Sequence, residues 1–163
     1  MKLKTKSLLL VGALILAGCA GTGGLGGVGA DASGFGNAND PTSQAYFLQT
    51  IGDRVFFAVN ESSLSDQGRV VLGNQAAWLI SNTEFTAIIE GHADEQGTSE
   101  YNLALGARRA NAVVEFLISQ GVPADRMQTV TYGKERPVGI CSEELCYSQN
   151  RRAVTVIAAG ALG

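Results

Sequence analysis

Histidine is almost absent from this sequence, which has a single one, His92, among its 163 residues. A protein-bound zinc ion usually needs three or four protein ligands, and His92 with the nearby Asp94 would supply only two. Nucleophilic catalysis needs a base beside the nucleophile, and the sequence has neither a second histidine nor a G-x-S-x-G motif. We therefore predict no metal, no cofactor and no catalytic residues.

Long basic runs are also lacking. The chain carries 12 basic and 15 acidic residues, which gives a formal charge of −3. If the three lysines at positions 2, 4 and 6 belong to a cleaved leader, nine basic residues remain against 15 acidic ones, a charge of −6. The arginines at 108–109 and 151–152 form two pairs rather than a stripe. Nucleic-acid binding needs a basic face that neutralises phosphates, so we exclude nucleic acid as a partner.

The apolar stretch Ser7–Leu16 is too short to cross a bilayer as a helix. It follows the three lysines as the apolar part of a secretory leader follows its basic part. The stretch runs into Leu-Ala-Gly-Cys, ending at Cys19, which resembles the bacterial lipobox. Residues 1–18 are therefore predicted to be a lipoprotein signal peptide, and Cys19 the lipidated first residue of the mature chain. The alternative is a plain signal peptide that leaves an unrelated cysteine.

Residues 19–40 are predicted to be a tether. Small and polar residues dominate the segment and Phe35 is its only aromatic residue, so it cannot bury enough apolar surface to offset its ordering entropy. The G-x-G-x-x-G pattern at 21–26 has no strand before it and no helix after it, which excludes a dinucleotide site. A glycine-rich coil of about 20 residues reaches roughly 25 Å.

Residues 41–163 are long enough for one domain with a single core. Apolar periodicity predicts two long helices, at 66–81 and 102–120, the first capped by Ser65 and the second ended by Gly121. Runs of β-branched and aromatic residues predict four strands, at 54–59, 85–90, 127–132 and 152–157. Strands and helices that alternate in this order fold as a two-layer α/β sandwich.

The segment from Gly91 to Ala110 links the second strand to the second helix, and such loops concentrate ligand contacts. A carboxylate, Asp94, and a guanidinium, Arg109, brought together here could bind a zwitterion, one taking its ammonium and the other its carboxylate. A plain salt bridge between Asp94 and Arg109 is one alternative. A catalytic carboxylate pair, Asp94 with Glu95, is another. His92 is expected to be partly buried and hydrogen-bonded near the strand end.

From Gly91 onward the chain resembles the signature of OmpA-like peptidoglycan-binding domains, in the run G-H-A-D-E-Q-G-T-S-E-Y-N-L-A-L-G-A-R-R-A-N-A-V. Two later segments resemble that family's later motifs, V-T-Y-G-K-E-R-P from Val130 and Y-S-Q-N-R-R-A-V from Tyr147. The resemblance covers roughly residues 50–158. It implies a βαβαβ fold with a further C-terminal strand, in which a mixed sheet carries helices on one face.

The resemblance also implies a ligand, the meso-diaminopimelate side chain of peptidoglycan stem peptides, whose free end carries an ammonium and a carboxylate on one carbon. By position, Asp94 and Arg109 match the two principal ligand residues of the family. Four further positions match residues that line the pocket or offer backbone N–H groups to the ligand: Thr98, Leu105, Val59 and Asn60. Many relatives have aspartate where Asn60 stands. Asparagine can serve there if the contact is through the backbone, because it tolerates turn conformations.

Three more residues match family positions: Asn102, Arg151 and Arg152. We interpret Asn102 as a helix-start residue beside the pocket. The two arginines are interpreted as structural.

The function implied is a non-enzymatic anchor, attached by lipid to the periplasmic face of the outer membrane and clamped to peptidoglycan. Ala20, rather than aspartate, follows the predicted lipidated cysteine and agrees with sorting to the outer membrane. The family also engages the Tol system, notably TolB, which serves envelope integrity and cell division. The alternatives are a cell-wall-processing enzyme and a pure protein-interaction adaptor in the periplasm.

Two cysteines, Cys141 and Cys146, remain beside Cys19. Two such residues in a secreted protein predict a disulfide. Closing a six-residue loop would stabilise the fold by about 2 kcal/mol in the chain-entropy model. The alternative is a pair of free buried thiols.

Overall fold

The computed structural model describes residues 35–160 of the chain. The predicted signal peptide at 1–18, Cys19 with its predicted lipid and the tether up to residue 34 lie outside the described residues, as do residues 161–163. Among the described residues, no helix is long and apolar enough to cross a membrane.

Within residues 35–160, four strands form one mixed sheet: β1 (Arg54–Phe56), β2 (Phe85–His92), β3 (Met127–Gly133) and β4 (Arg152–Ala159). Their order across the sheet is β1-β4-β2-β3. Strand β4 pairs antiparallel with both β1 and β2, and β2 runs parallel to β3. The ends of β1 and β2 therefore meet the start of β4 at one end of the sheet.

In this described part of the chain, four helices accompany the strands: α1 (Gln44–Tyr46), α2 (Asp66–Ser81), α3 (Ser99–Ser119) and α4 (Glu144–Asn150). A π-helical turn, Phe47–Ile51, continues α1, and a 3-10 turn, Ala124–Arg126, precedes β3. Helices and strands alternate as β1-α2-β2-α3-β3-α4-β4. This is the predicted two-layer α/β sandwich.

The core lies between the two long helices and one face of the sheet. It is built from apolar residues one turn apart on the helices and from alternate residues of the strands: Leu72, Ala76, Leu79, Ala110, Val113, Leu117, Val55, Ala87, Ile89, Ala153 and Ile157. Trp78 adds to this core between the rings of Phe47 and Phe85, each 4.9 Å away between centroids. Ile80 and Leu103, two apolar residues of the long helices, are exposed.

Local capping explains where the long helices begin. The hydroxyl of Ser65 accepts a hydrogen bond from the backbone N–H of Gly68 at 3.1 Å, and α2 begins where predicted. The hydroxyl of Thr98 accepts from the N–H of Tyr101 at 3.2 Å, so α3 begins at Ser99. The predicted start at Asn102 is wrong, because that residue lies inside the first turn.

Close contact between two glycines brings α3 onto β2. A Cβ atom at Gly91 would overlap the carbonyl oxygen of Gly106, and one at Gly106 would overlap the hydroxyl of Thr131. Only hydrogen fits at either position. The contact sets the first half of α3 against the end of β2, where the family signature begins.

Other elements differ in length from the sequence prediction. Strand β1 ends at Phe56 rather than at residue 59, so the residues that follow it belong to a loop. Residues 147–150, which resemble a later family motif, form the second half of α4. Residues 35–40, the end of the predicted tether, form turns in which Phe35 accepts a backbone hydrogen bond from Ala45 at 2.8 Å.

Candidate ligand-binding site

Arg109 lies fully buried where the end of β2 meets the loop after β1. Its guanidinium donates to three backbone carbonyls: Nε to Glu61 at 2.8 Å, Nη1 to His92 at 2.8 Å and Nη2 to Ala58 at 3.1 Å. Two of these acceptors belong to the β1–α2 loop and the third to β2. Arg109 therefore fastens the loop at 58–61 to the strand that carries the signature.

Burial makes the charge of Arg109 costly. It lowers the pKa of Arg109 to about 10, while the nearby carboxylate of Asp94 acts in the opposite direction. The side chain stays protonated at neutral pH, since this pKa is well above 7. The three carbonyls satisfy three of its five N–H groups. Two N–H groups therefore have no acceptor among the described residues.

Asp94 forms its salt bridge with Arg151. The Oδ2 of Asp94 lies 3.2 Å from Nη1 of Arg151, and their side chains are only 10% and 6% exposed. Arg151 also donates from Nε to the carbonyl of Phe57 at 3.1 Å and pairs with the exposed carboxylate of Glu144. Hydrogen bonds to Glu144 and then to Asp94 raise the pKa of Arg151. Among the described residues, the expected alternative of an Asp94–Arg109 salt bridge is not found.

The loop between β2 and α3 is held by its own polar groups. The Oδ1 of Asp94 accepts from the N–H of Gln96 at 3.2 Å, and Asn102 donates from Nδ2 to the carbonyl of Gln96 at 2.8 Å. The ammonium of Lys134 donates to the carbonyl of Gly97 at 2.8 Å. The Asp94 carboxylate is thus oriented by backbone and by side chains from outside its loop.

The loop after β1 places Val59 and Asn60 beside the guanidinium of Arg109. Asn60 has φ of +56°, the left-handed conformation that asparagine tolerates better than most residues. The N–H of Glu61 donates to the carbonyl of Ala58 at 3.2 Å and closes the turn. The side chain of Val59 remains exposed. Asparagine and aspartate both tolerate this backbone conformation, so it does not by itself require either residue.

The other two predicted residues lie along the same elements. Leu105 is buried on α3 one turn before Arg109. Thr98 closes the loop, with its hydroxyl engaged in the cap of α3. The contacts bring Asp94, Arg109 and the turn at 59–60 to one place, with Leu105 on the adjoining helix face.

His92 differs from its predicted role. It is 1% exposed, and in the described part of the chain neither ring nitrogen has a hydrogen-bond partner. Burial, followed by the positive charges of Arg152 and Arg136, lowers the pKa of His92 to about 4. The predicted hydrogen bond of the His92 side chain is therefore wrong. His92 contributes to the site through its backbone carbonyl, which accepts from Arg109. No group of three or more metal-binding side chains converges within residues 35–160.

Arg151, which the sequence interpretation treated as structural, contacts Asp94 in this site. The pair at 151–152 gives no sign of a partner, because Asp94 lies 57 residues earlier. Arg152 instead donates to the backbone carbonyl of Arg136 at 3.2 Å, as a structural residue would. The one available signal was that a buried carboxylate requires a counter-charge.

Comparison with known proteins places this site inside a matched family region. The model of the OmpA family matches residues 56–151, which include every residue of the candidate site. The peptidoglycan-associated lipoprotein of Rhizobium meliloti (strain 1021) is 50% identical over 151 residues, covering 91% of this chain and 84% of that protein.

Solved structures agree with this match. The crystal structure of the peptidoglycan-associated lipoprotein from Burkholderia pseudomallei has a TM-score of 0.66 and 40% sequence identity, over 74% of this chain and 98% of that one. The C-terminal domain of Helicobacter pylori MotB has a TM-score of 0.62 at 18% identity, over 67% of this chain and 86% of that domain, and shows the fold alone. We conclude that the chain belongs to the OmpA family, and within it to the group of the peptidoglycan-associated lipoproteins.

Proposed function

We propose that this protein is a non-enzymatic outer-membrane lipoprotein that anchors the outer membrane to peptidoglycan by binding the meso-diaminopimelate of stem peptides. The names of its relatives support association with peptidoglycan. The observation that carries the proposal is the meeting of a buried guanidinium, an aspartate and a left-handed turn at the ends of β1 and β2. These groups suit the free end of diaminopimelate, which is a zwitterion.

Asp94 is the proposed partner of the ligand ammonium. A carboxylate has about four lone-pair positions, and two hydrogen bonds, from Gln96 and Arg151, account for one on each oxygen. An ammonium can therefore bind Asp94 without displacing Arg151. The guanidinium of Arg151 fixes the carboxylate in place before the ligand arrives.

Arg109 is the proposed partner of the ligand carboxylate. Since its side chain is fully buried, the ligand can reach it only if the turn at 58–61 moves and gives up a carbonyl contact. A paired hydrogen bond between guanidinium and carboxylate is stronger than a bond to a neutral carbonyl. The backbone N–H groups at 59–60 lie on the same exposed turn and suit the same carboxylate.

The test is co-sedimentation of the full-length protein with purified peptidoglycan sacculi, in competition with soluble stem peptides. A tripeptide that ends in meso-diaminopimelate should release the protein. The matched tripeptide with lysine keeps the ammonium but lacks the side-chain carboxylate, and it should compete at least about tenfold less well. Equal competition by the two peptides would contradict the proposed ligand.

Attachment to the membrane is proposed to occur through lipid on Cys19, with the domain on the periplasmic face. The lipobox resemblance and the word lipoprotein in the names of the relatives support it. Several acyl chains on one residue give stable anchoring, since each buried methylene adds about 0.8 kcal/mol. The tether then lets the domain reach the wall.

A second proposed role is docking to the Tol system through TolB, in support of envelope integrity and cell division. The observation that favours a protein partner is a group of exposed apolar side chains before and within α4: Val138, Ile140 and Leu145, which are 52%, 90% and 69% exposed. Exposed apolar side chains that lie together are typical of protein interfaces. Ile140→Asp should weaken capture by purified TolB while sacculus binding stays unchanged. Unchanged capture would remove this surface from the proposal.

An enzymatic role is the competing class. It predicts that the pure protein releases soluble muropeptides from sacculi. We expect no release above that of a heat-denatured sample, and time-dependent release would overturn the anchor as the sole function.

A further inference from the structure

A disulfide closes a small ring beside the candidate site. Cys141 and Cys146 are bonded, with Cα atoms 5.7 Å apart and five positions of separation along the chain. The base of the ring is fixed by the buried side chain of Asn150, whose Oδ1 accepts from the N–H groups of Val138 and Gly139 at 2.8 and 3.0 Å. The ring is therefore a rigid projection of the segment between β3 and β4.

The ring contacts the loop that carries Asp94. The Oε1 of Glu95 accepts hydrogen bonds from Ser142, inside the ring, at 3.0 Å and from Tyr147, next to the ring, at 2.8 Å. The hydrogen bond to Glu95 raises the pKa of Tyr147, as expected when a hydroxyl donates to a carboxylate. The loop after β2 is thus held from the side by the ring.

Arg151 makes a second connection between the ring and the loop that carries Asp94. Glu144 lies inside the ring and pairs with the guanidinium of Arg151, which reaches Asp94 at 3.2 Å. Both adjacent carboxylates of the loop, Asp94 and Glu95, are therefore tied to the same covalent ring. Neither contact could be inferred from the family signature. The residues that contact Asp94 and Glu95 from the ring and beside it lie about 50 positions later in the chain.

We propose that the Cys141–Cys146 ring is a positioning element of the ligand site, which holds Asp94 in its binding position through Glu95 and Arg151. The inference rests on the proposed function of that site. The contacts at Glu95 are exposed, and exposed polar contacts hold a loop weakly unless their partner is itself rigid. The covalent bond supplies that rigidity by removing conformations of the ring.

The experiment compares binding of the soluble meso-diaminopimelate tripeptide by full-length variants, using calorimetry. The double change Cys141→Ser and Cys146→Ser opens the ring and should weaken binding about two- to tenfold. Tyr147→Phe keeps the disulfide and removes one hydroxyl, and should weaken binding to a smaller extent. In both variants, backbone hydrogen exchange at residues 95–97 should become faster.

A matched control separates positioning from general stability. Ile157→Val shortens a buried core side chain on β4, six residues along the strand from Arg151 and so about 20 Å away. It should lower the melting temperature and leave tripeptide binding unchanged. The cysteine double variant and Tyr147→Phe are compared with Ile157→Val at equal melting temperature. If they lose no more binding than Ile157→Val does, the ring has no positioning role.

Asp94→Ala makes the two proposals distinguishable. If it abolishes binding and the ring variants bind like the wild type, the positioning role is rejected and the proposed site stands. If Asp94→Ala binds normally while folded, the proposed site fails, and the positioning role fails with it. If Asp94→Ala loses tripeptide binding, and the cysteine double variant and Tyr147→Phe each lose part of it, both the proposed site and the positioning role are supported.

Discussion

Asp94 and Arg151 form an ion pair of 3.2 Å at the end of the sheet, with both side chains almost buried. Arg109, in the same place, has three carbonyl groups as hydrogen-bond partners. The two arginines are thus stabilised in different ways, one by carboxylates and the other by backbone dipoles. A ligand carboxylate would balance the charge of Arg109, and a ligand ammonium would balance the excess negative charge of Asp94 and Glu144 around Arg151.

The first prediction concerns Asp94→Asn, which removes the charge and keeps an acceptor for the N–H of Gln96. Loss of one partner of a desolvated charge pair costs on the order of 2–5 kcal/mol, so sacculus binding should weaken at least about tenfold. The measurement is co-sedimentation with thermal melting on the same samples. Asp125→Asn, an exposed carboxylate on the 3-10 turn before β3, is the matched control and should bind normally. Normal binding by a folded Asp94→Asn chain would reject the ammonium contact.

The second prediction concerns Arg109→Ala, which should affect stability as well as binding. It leaves the carbonyls of Ala58, Glu61 and His92 without their donor; the contact to His92 is buried, and a buried unsatisfied group costs about 1–3 kcal/mol. We expect a loss of about 1–3 kcal/mol in the free energy of unfolding, measured by urea denaturation. Arg109→Lys should recover part of the stability but bind sacculi weakly, because an ammonium lacks the paired geometry.

The control for this prediction is the neighbouring residue Arg108, which is exposed. Arg108→Ala should change stability by no more than about 0.5 kcal/mol. If the Ala variants at 108 and 109 unfold at the same urea concentration, the three carbonyl contacts do not stabilise the fold.

The third prediction separates backbone from side chain at Asn60. Asn60→Gly and Asn60→Asp both tolerate the left-handed conformation, so binding should stay within about twofold of the wild type if the contact is through the backbone. Asn60→Val should be strained by roughly 1–2 kcal/mol and should bind less well. A strong change in affinity for Asn60→Asp or Asn60→Gly would instead show that the side chain takes part.

The fourth prediction concerns pH. The folded-state pKa of His92, about 4, lies below its ordinary value of 6.5, so between these values the unfolded chain binds a proton that the folded chain does not. Stability should therefore fall as pH drops from 6.5 toward 4, by at most about 3 kcal/mol, and this contribution should level off below 4. His92→Gln cannot titrate and serves as the reference. The free energy of unfolding is measured against pH for the wild type and for His92→Gln. If the two curves run parallel between pH 7 and pH 4, the prediction is contradicted.

The fifth prediction concerns attachment. Cys19→Ser removes the proposed acylation site, so the protein should move from the detergent phase to the aqueous phase or remain unprocessed. The matched control is Cys141→Ser with Cys146→Ser, which should still partition with detergent. Detergent-phase partitioning of Cys19→Ser equal to that of the wild type would reject lipidation at this residue.

Local patterns carried much of the fold prediction. The alternation of strands and helices predicted the two-layer sandwich, and the hydroxyl of Ser65 marked the start of α2, because periodicity and capping act within a few residues. The start of α3 was placed too late, since Thr98 was assigned to the pocket and not to the cap. The resemblance in the signature supplied Asp94 and Arg109 as candidates, and it could do so because that segment is contiguous.

The sequence by itself determined which residues form the signature, its charged candidates and the strand-helix alternation. Only the tertiary structure decided their partners: Arg151 for Asp94, and for Arg109 three carbonyls, 17, 48 and 51 positions away. It also placed β4 between β1 and β2, which brings Arg151 to the site. The physical reason is that every residue carries a backbone carbonyl, so a guanidinium that binds carbonyls leaves no pattern in the sequence. A buried ion pair leaves none either, because only the path of the chain brings its two members together.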